Sequence, residues 1–297
     1  MNIERMATGL QFPEGPAIGP DGALYVTEIA GQCITRVADD GTRSVYADTQ
    51  GGPNGAAFGA DGTLYICNNG GRWSSDMPST ASSASPPNGP GTIRTVAPSG
   101  EMADLITEID GIPLNSPNDI CFDDHGGFYF TDPAWGGMMG GAPEPGPVCY
   151  RAADGATRRV ADGILFPNGL GVREDGRTLI VCESLTGMLV SFLITEPGVV
   201  SATPKGNGMI GRRSVPDGFC FDESGRIIVA GHGTPNLFVL DGSDGRPIEV
   251  VELPERGLTN CCFGGDDFRT LYVTSSDEGN VFAIEWDRPG MRLFPDR

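Results

Sequence analysis

The sequence predicts an all-β protein built from six similar sheets. Glycine contributes 45 and proline 24 of the 297 residues, and both interrupt helices or form turns. No long stretch repeats apolar residues at helical spacing. A motif of two short strands joined by an Asp- and Gly-rich turn recurs six times along the chain. These three observations favour a repeated β architecture with very little helix.

The six copies share one order of features. Each has a polar side chain near its start, a short apolar strand, a turn, and a second strand rich in β-branched or aromatic residues, which is the pattern of an antiparallel pair. The copies read PEGPAIGPDGALYVTE from 13, PNGAAFGADGTLYICN from 53, PNDICFDDHGGFYFTD from 117, PNGLGVREDGRTLIVCE from 167, PDGFCFDESGRIIVAG from 216 and TNCCFGGDDFRTLYVTS from 259.

Two further strand candidates follow most pairs, as in CITRVA (33–38) and TRSVYA (42–47), which gives four strands per repeat. A twisted four-stranded sheet buries both faces when it stacks between neighbouring blades around an axis. The sequence therefore predicts one six-bladed β-propeller domain over residues 1–297, with four-stranded antiparallel blades. We expect NIERMATG at the N-terminus to complete the last blade beside VFAIEW (281–286) and so close the ring.

An insertion at 70–91 separates the second and third motifs. Its Ser, Pro and Gly content gives it almost no means of packing a core, so we interpret it as a surface excursion; a lid is the alternative interpretation. It follows a second strand, and we expect it to leave the blade at the end opposite the polar motif residue.

The charge balance limits the possible partners. The chain has 20 basic and 39 acidic residues and a net charge of −19, which repels nucleic acid and anionic membrane surfaces. The start lacks the pattern of a secretory signal, and no segment reaches the ~20 apolar residues of a membrane helix, so we predict a cytoplasmic protein. Several of the eight cysteines lie in apolar strand-like runs, where a thiol acts as a small hydrophobe.

The second residue of every motif is a carboxylate or a primary amide. In a propeller the first strand of each blade lines the central channel, so these side chains would face one another as a ring. Such oxygens suit a hard cation such as calcium, and the absence of His and Cys argues against zinc. Asn before Gly is also a common turn former, but Glu is not. The ring consists of Glu14, Asn54, Asn118, Asn168, Asp217 and Asn260.

The chain resembles the senescence marker protein, regucalcin and gluconolactonase family. The resemblance rests on the registers of Glu14, Asn118, Asn168 and Asp217 and on LTNCCFGGDDFRTLYVTSS (258–276). It implies a six-bladed propeller that holds one divalent cation in its channel and opens lactones. Calcium is the favoured ion, with zinc, magnesium and manganese as alternatives.

By position, Glu14, Asn168 and Asp217 match the family's direct metal ligands, and Asn118 matches a residue that contacts either the metal or the substrate. Asp217 also matches the proposed base or nucleophile. Animal lactonases of the family carry an Arg where this chain has Ser116; Arg72 in the insertion is a possible substitute.

These residues predict a divalent-metal-dependent lactonase acting on a small-molecule lactone, as a monomer or small homo-oligomer. The alternatives are an organophosphate hydrolase using the same metal, a non-catalytic calcium-binding propeller, and an interaction scaffold. Asp132 and Trp135 also suit a structural turn with a packing aromatic ring. The catalytic candidates are Asp217 and Asn118, and the substrate-binding candidates are Asn118, Asn54, Arg72, Trp135, Asp132 and His232.

Overall fold

A computed structural model of the chain describes residues 1–71, 89–135, 141–211 and 213–295. Within these ranges the backbone forms 27 β-strands. No helix in the described part of the chain is long and apolar enough to cross a membrane. Four strands in each of six sheets form antiparallel blades in the order of the sequence repeats, which confirms the predicted six-bladed propeller.

The first three blades follow one another along the chain. Blade 1 consists of β2 (Pro13–Ile18), β3 (Leu24–Glu28), β4 (Cys33–Val37) and β5 (Arg43–Asp48). Blade 2 consists of β6 (Pro53–Phe58), β7 (Leu64–Asn68), β8 (Thr92–Val96) and β9 (Met102–Ile106). A small hairpin of β10 (Glu108–Ile109) and β11 (Ile112–Pro113) leads into blade 3. Blade 3 consists of β12 (Ile120–Phe122), β13 (Phe128–Thr131), β14 (Pro145–Arg151) and β15 (Thr157–Leu165).

The next two blades differ in one short strand. Blade 4 consists of β16 (Pro167–Val172), β17 (Thr178–Glu183), β18 (Met188–Glu196) and β20 (Lys205–Met209). The additional strand β19 (Val199–Val200) pairs with the end of β18, so this blade exceeds the predicted four strands. Blade 5 consists of β21 (Val215–Phe221), β22 (Ile227–His232), β23 (Asn236–Leu240) and β24 (Pro247–Glu252).

Blade 6 joins both ends of the chain. It consists of β25 (Leu258–Gly264), β26 (Thr270–Ser275), β27 (Asn280–Glu285) and β1 (Ile3–Ala7). The strand β1 pairs antiparallel with β27, with Ile3 opposite Ile284, and the Arg5 guanidinium lies 5.9 Å from the centre of the Phe282 ring. The predicted closure of the last blade by the N-terminal strand is confirmed.

The hydrophobic core lies between blades. Tyr25 and Ile34 of blade 1 pack with Leu64, Ile66 and Val96 of blade 2 in one buried cluster. Blades 5 and 6 share a larger cluster of the same kind. Each blade thus buries apolar side chains against its neighbour, which is why a single four-stranded sheet of this sequence would leave much of its apolar surface in water.

Tight turns join the first and second strands of the blades. In blade 1 the turn is closed by a hydrogen bond of 2.9 Å from the Gly19 N–H to the Ala23 carbonyl, and Gly22 has a φ of 78° that suits glycine. We call the end of the channel where the polar motif residues lie the polar end, and the end where these turns lie the turn end.

The insertion begins at the polar end, so the expectation that it leaves from the opposite end was wrong. Pro53, which precedes the ring residue Asn54, pairs with Asn68 at the end of β7. An antiparallel second strand returns to the level at which the first strand began. Most of the insertion, including Arg72, lies outside the described residues.

The chain after β27 runs across the turn ends of blades 6 and 5. The Gly290 N–H donates to the Phe268 carbonyl at 2.7 Å, and the Met291 N–H donates to the Phe221 carbonyl at 2.9 Å. Phe294 packs against apolar clusters formed by blades 2, 3 and 4. This segment carries no strand pattern, and its position depends on contacts with several blades that lie far from it in the chain.

Candidate active site

The six ring residues lie at the polar end of the channel and are buried, with exposures of 3% to 8%. In five blades the ladder between the first two strands is irregular next to the ring residue, as between Glu14 and Ala17 or Pro216 and Phe219. Such bulges re-aim side chains at functional positions. In blade 3, Asn118 comes two residues before β12.

The glycines that follow ring residues allow neighbouring blades to approach. A Cβ atom on Gly55 would lie 2.7 Å from the Asn118 carbonyl oxygen, and one on Gly169 would lie 2.5 Å from the Asp217 carbonyl oxygen. Neither contact is possible for a side chain, so glycine is required for spatial reasons. The Asn-Gly pairs therefore allow the first strands of neighbouring blades to come close together, and they do not form turns in this protein.

Hydrogen bonds between blades fix the positions of the ring residues along the channel axis. The Gly55 N–H donates to the Asn118 carbonyl at 2.6 Å, and the Thr131 hydroxyl donates to the Asn168 carbonyl at 2.9 Å. The Thr259 hydroxyl of blade 6 donates to the Pro13 carbonyl of blade 1 at 2.8 Å, across the closure of the ring. The ring is thus held by backbone contacts as well as by its own side chains.

Two carboxylates of the ring are near enough to affect each other. Burial raises the pKa of Glu14 to about 8, opposed by the Gly15 N–H, which donates to the Glu14 carboxylate at 2.9 Å. Burial, then the charge of Glu14, raises the pKa of Asp217 well above its ordinary value, while the Asn168 side chain opposes this. Ionisation of one of the two acids therefore makes ionisation of the other less favourable.

Asp119 is a third buried acid beside the ring, and it is absent from the residues predicted for the site. Burial raises its pKa to about 6, opposed by the Ile120 N–H, and its charge raises the pKa of both Glu14 and Asp217. The side chain of Asn260 lowers the pKa of both Glu14 and Asp119. A signal for Asp119 is present in the sequence: PND in the third motif has a carboxylate where four other motifs have glycine.

The donor set fits a hard divalent cation. Among the described residues Glu14 has no ion-pair partner, and His232 is the basic side chain nearest Asp217, with Nδ1 4.0 Å from Oδ2. Buried carboxylates without a cationic partner are costly, and a bound cation removes that cost. No group of three or more His, Cys, Asp or Glu side chains in the described ranges is placed to hold a metal. The ring itself offers carboxylate and amide oxygens, which calcium accepts together.

Two predicted substrate residues hold the segment before Asn118. The carboxylate of Asp132 accepts the Ser116 N–H at 2.7 Å. The Trp135 indole N–H donates to the Ser116 hydroxyl at 2.6 Å, and that hydroxyl donates to the Pro133 carbonyl at 2.8 Å. Trp135 is buried, and its ring meets Phe166 edge-on with the ring centres 5.2 Å apart. These contacts support the turn interpretation of Asp132 and Trp135.

A cavity of about 1140 Å³ extends from beneath the ring to the turn end. Asp119 and Asn260 line its inner part, and aromatic side chains such as Phe122, Phe219 and Phe263 line it further along. The ring is therefore a polar layer at one end of a channel whose remaining length is lined by aromatic and charged side chains together.

The SMP-30/gluconolactonase/LRE-like family model matches residues 12–277, which span every ring position. The chain belongs to this family. A regucalcin from Gallus gallus is 32% identical over 119 residues, covering 40% of each chain. The diisopropyl-fluorophosphatase of Loligo vulgaris is 28% identical over 197 residues, covering 62% of each chain.

The chain thus matches about two fifths of the regucalcin and three fifths of the fluorophosphatase by sequence. Similarity of fold extends further. The solved structure of a gluconolactonase from Xanthomonas campestris superposes with a TM-score of 0.76, covering 97% of this chain and 89% of that one at 24% identity.

Proposed function

We propose that this family member is a divalent-cation-dependent lactonase whose reaction takes place at the polar end of the channel. The observation that carries the proposal is the electrostatic repulsion between Glu14 and Asp217. Both are buried carboxylates, and neither has a Lys or Arg partner among the described residues. Amide side chains complete the ring around them. This chemistry suits a cation with coordination positions left for a reactant.

Glu14, Asn168, Asp217 and Asn118 would hold the ion, for which calcium is the favoured identity. When bound, the cation supplies Lewis acidity that polarises a lactone carbonyl and stabilises the oxyanion formed on it. Two carboxylates nearly balance a divalent charge, and the uncharged amides of Asn118 and Asn168 add no further negative charge. Asn54 and Asn118, both buried in the ring, would contact polar groups of the substrate.

Asp217 is the candidate proton acceptor. One of its carboxylate oxygens takes a proton from the water that adds to the carbonyl carbon; the ring C–O bond then breaks, and the released alkoxide takes up a proton to give the hydroxy acid. The Asn168 side chain, whose hydrogen bond lowers the pKa of Asp217, keeps this carboxylate oriented.

The segment before Asn118 bears on substrate charge. Ser116 occupies the position of the Arg of animal lactonases, and its hydroxyl is engaged by Trp135 and Pro133. It therefore supplies no cation for an anionic substrate. We propose an uncharged lactone, with a sugar lactone as the leading class. Arg72 lies outside the described residues and remains a sequence-based candidate.

A reducing, cytoplasmic location belongs to the same proposal. All eight cysteines are free, and even the closest buried pair, Cys220 and Cys261, has its sulfur atoms 3.4 Å apart. Free buried thiols suit a compartment that keeps cysteine reduced. We propose a monomer or small homo-oligomer with a small-molecule substrate.

The test is a pH-drop assay on sugar, aliphatic and aromatic lactones, before and after chelation, with metal analysis of the purified protein. Hydrolysis that stops on chelation and returns with calcium supports the proposal. Asp217→Asn that keeps both its metal and the full rate removes the proton-acceptor role. Metal binding without hydrolysis of any lactone would favour the calcium-binding alternative.

Phosphotriester hydrolysis is a second candidate. It is favoured by the similarity to the fluorophosphatase, which extends over more of the chain than the similarity to regucalcin. In that reaction Asp217 would attack phosphorus and expel the leaving group. A fluorophosphate ester assayed beside the lactones under the same conditions separates the two functions by their kcat/KM values.

A further inference from the structure

The ends of the second strands follow a pattern in blades 1, 2 and 4. In each, the residue paired with the proline before the ring residue is a carboxylate or an amide. Its oxygen accepts a backbone N–H from the segment entering the first strand: Gln11 to Glu28 at 2.6 Å, Gly52 to Asn68 at 3.3 Å and Leu165 to Glu183 at 2.9 Å. We call these side chains the entry clamps. Asp132 has the same role in blade 3, where its carboxylate accepts the Ser116 N–H.

Blade 5 has no side chain at this position. Gly231 pairs with Pro216 there, and a Cβ atom on Gly231 would lie 2.4 Å from the Ser214 hydroxyl oxygen. That hydroxyl is 2.9 Å from the hydroxyl of Thr234. Ser214 and Thr234 therefore occupy the space of the entry clamp, and the next residue, His232, is not needed for it.

His232 has an unsatisfied polar atom beside the ring. Its Nδ1 is buried and makes no hydrogen bond in the described structure, and it lies 4.0 Å from Oδ2 of Asp217. That distance is too long for a direct hydrogen bond. The equivalent side chain of blade 4, Ser184, instead donates to the Pro216 carbonyl at 2.7 Å. Nδ1 of His232 thus lacks a protein partner, although it lies next to Asp217.

The exposure of His232 indicates which kind of group can pair with it. The His232 side chain is 35% exposed and that of Asp217 is 12% exposed, so the imidazole has the more accessible surface of the two. A lactone whose carbonyl reacts beside Asp217 would direct its ring substituents toward this more exposed side chain. A hydroxyl substituent both donates and accepts, so it can bond Nδ1 in either imidazole tautomer.

We propose that His232 is a specificity-determining residue that binds a hydroxyl group of a hydroxylated lactone through Nδ1. This inference rests on the proposed lactonase function and adds a selection between hydroxylated and unsubstituted rings. A buried polar atom that gains its partner only from the hydroxylated substrate favours that substrate, because the unsubstituted ring leaves the atom unpaired.

The kinetic test compares δ-gluconolactone with δ-valerolactone. His232→Phe removes Nδ1, and His232→Asn keeps a polar atom near its position. His125, the other histidine of the chain, is 60% exposed, and His125→Phe is the matched control. We expect His232→Phe to raise KM for gluconolactone about three- to tenfold, with KM for valerolactone within about twofold, and His232→Asn to recover part of the loss. Equal changes for both lactones, or none, would overturn the proposal.

A second measurement does not depend on turnover. With two histidines in the chain, ¹⁵N-labelled imidazole signals are assigned by the His125→Phe variant. We expect a polyhydroxylated δ-lactam, added with calcium, to shift the His232 Nδ1 signal, and unsubstituted δ-valerolactam to leave it in place. A signal unmoved by the hydroxylated lactam would overturn the proposal. If the wild-type protein hydrolyses no lactone, the proposed function fails, and this spectrum still decides whether His232 contacts a hydroxyl.

Discussion

Glu14 and Glu28 are buried glutamates on the first two strands of blade 1, and their surroundings differ. Glu28 accepts the Gln11 N–H at 2.6 Å with one oxygen and the Thr35 hydroxyl with the other. Glu14 accepts the neighbouring Gly15 N–H and lies near the charges of Asp217 and Asp119. Glu28 is bonded to the scaffold through both oxygens, whereas Glu14 is repelled by the charges of two other acids.

The aspartates of blade 5 repeat the contrast. Asp222 is fully buried and accepts hydrogen bonds from Ser224, from the Arg226 backbone and from the Arg226 guanidinium. Asp217 has a hydrogen bond with the Asn168 side chain and is repelled by the charge of Glu14. Burial of an acid therefore does not mark a site in this protein. An acid whose charge the scaffold leaves unbalanced is the better candidate for a site residue, because an added cation or proton is needed to balance it.

The largest expected effect is that of Glu14→Gln on metal binding. Glu14 is a proposed direct ligand, and its loss should weaken calcium binding by more than about 100-fold, beyond the 10- to 100-fold typical of changes to outer-shell partners. Lactone hydrolysis should fall with it. Calorimetric titration and metal analysis measure the affinity. Unchanged calcium affinity would show that Glu14 is not a ligand and would erase the contrast with Glu28.

The pH dependence of the metal-free protein tests the unbalanced charge. Glu14, with its pKa raised from 4.5 to about 8, binds more protons in the folded than in the unfolded chain between these values. Its contribution to stability is complete below about pH 4.5 and is lost as the pH rises toward 8; Asp119 and Asp217 act in the same direction.

We expect the free energy of unfolding to fall by a few kcal/mol from pH 5 to pH 8 with chelator present, and calcium to oppose the fall. Urea unfolding at the two pH values measures it. General repulsion at a net charge of −19 also grows with pH, so the Glu14→Gln, Asp217→Asn double variant is the control. An equal fall in that variant would assign the effect to the whole surface.

Asp222→Asn should destabilise the fold and leave the rate of lactone hydrolysis nearly unchanged. It takes the buried carboxylate from the Arg226 guanidinium, whose side chain is 16% exposed, and leaves the exposed Asp287 as its ion-pair partner. Breaking a buried ion pair on one side costs about 3 kcal/mol. Urea unfolding should show this loss, while kcat/KM for the lactone at low temperature stays within about twofold. A fall in kcat/KM without loss of stability would contradict the division between the two groups of acids.

Glu28→Gln should have the smallest effect. The amide keeps one acceptor for the Gln11 N–H or the Thr35 hydroxyl and loses the charge, so the free energy of unfolding should fall by about 1 kcal/mol. Calcium affinity and kcat/KM should match the wild type within about twofold. As the same chemical change as Glu14→Gln, it shows whether position or substitution type decides the outcome.

The repeat makes the fold predictable from sequence. Six copies in register determine which residue of each first strand faces the channel, so the repeat alone places Glu14 and Asp217 in one ring. The closing contact of β1 with β27 follows from counting strands. The direction of the 70–91 insertion follows the same hairpin geometry: the second strand returns to the level at which the first began, so the sequence is enough to place the start of the insertion at the polar end.

Other features depend on contacts that no local pattern encodes. Asp119 occupies a register that glycine fills in four other motifs, so the repeat assigns it to a strand and does not mark it as a third acid of the site. The entry clamp of blade 3 joins Asp132 to the Ser116 N–H, 16 positions earlier. The availability of Nδ1 in His232 follows from Gly231 and Ser214, whose meeting requires the packed blade.

The closure of the ring by β1 has a consequence for how the protein is made. The Thr259 hydroxyl and the Pro13 carbonyl are 246 positions apart, yet their bond helps to set the height of Glu14. A nascent chain on the ribosome holds blade 1 long before blade 6 emerges, and long-range pairing of this kind is slow to form. Translation that stops short of β27 would leave β1 without its partner and Glu14 without its final surroundings, so a truncated product should be inactive however well its earlier blades fold.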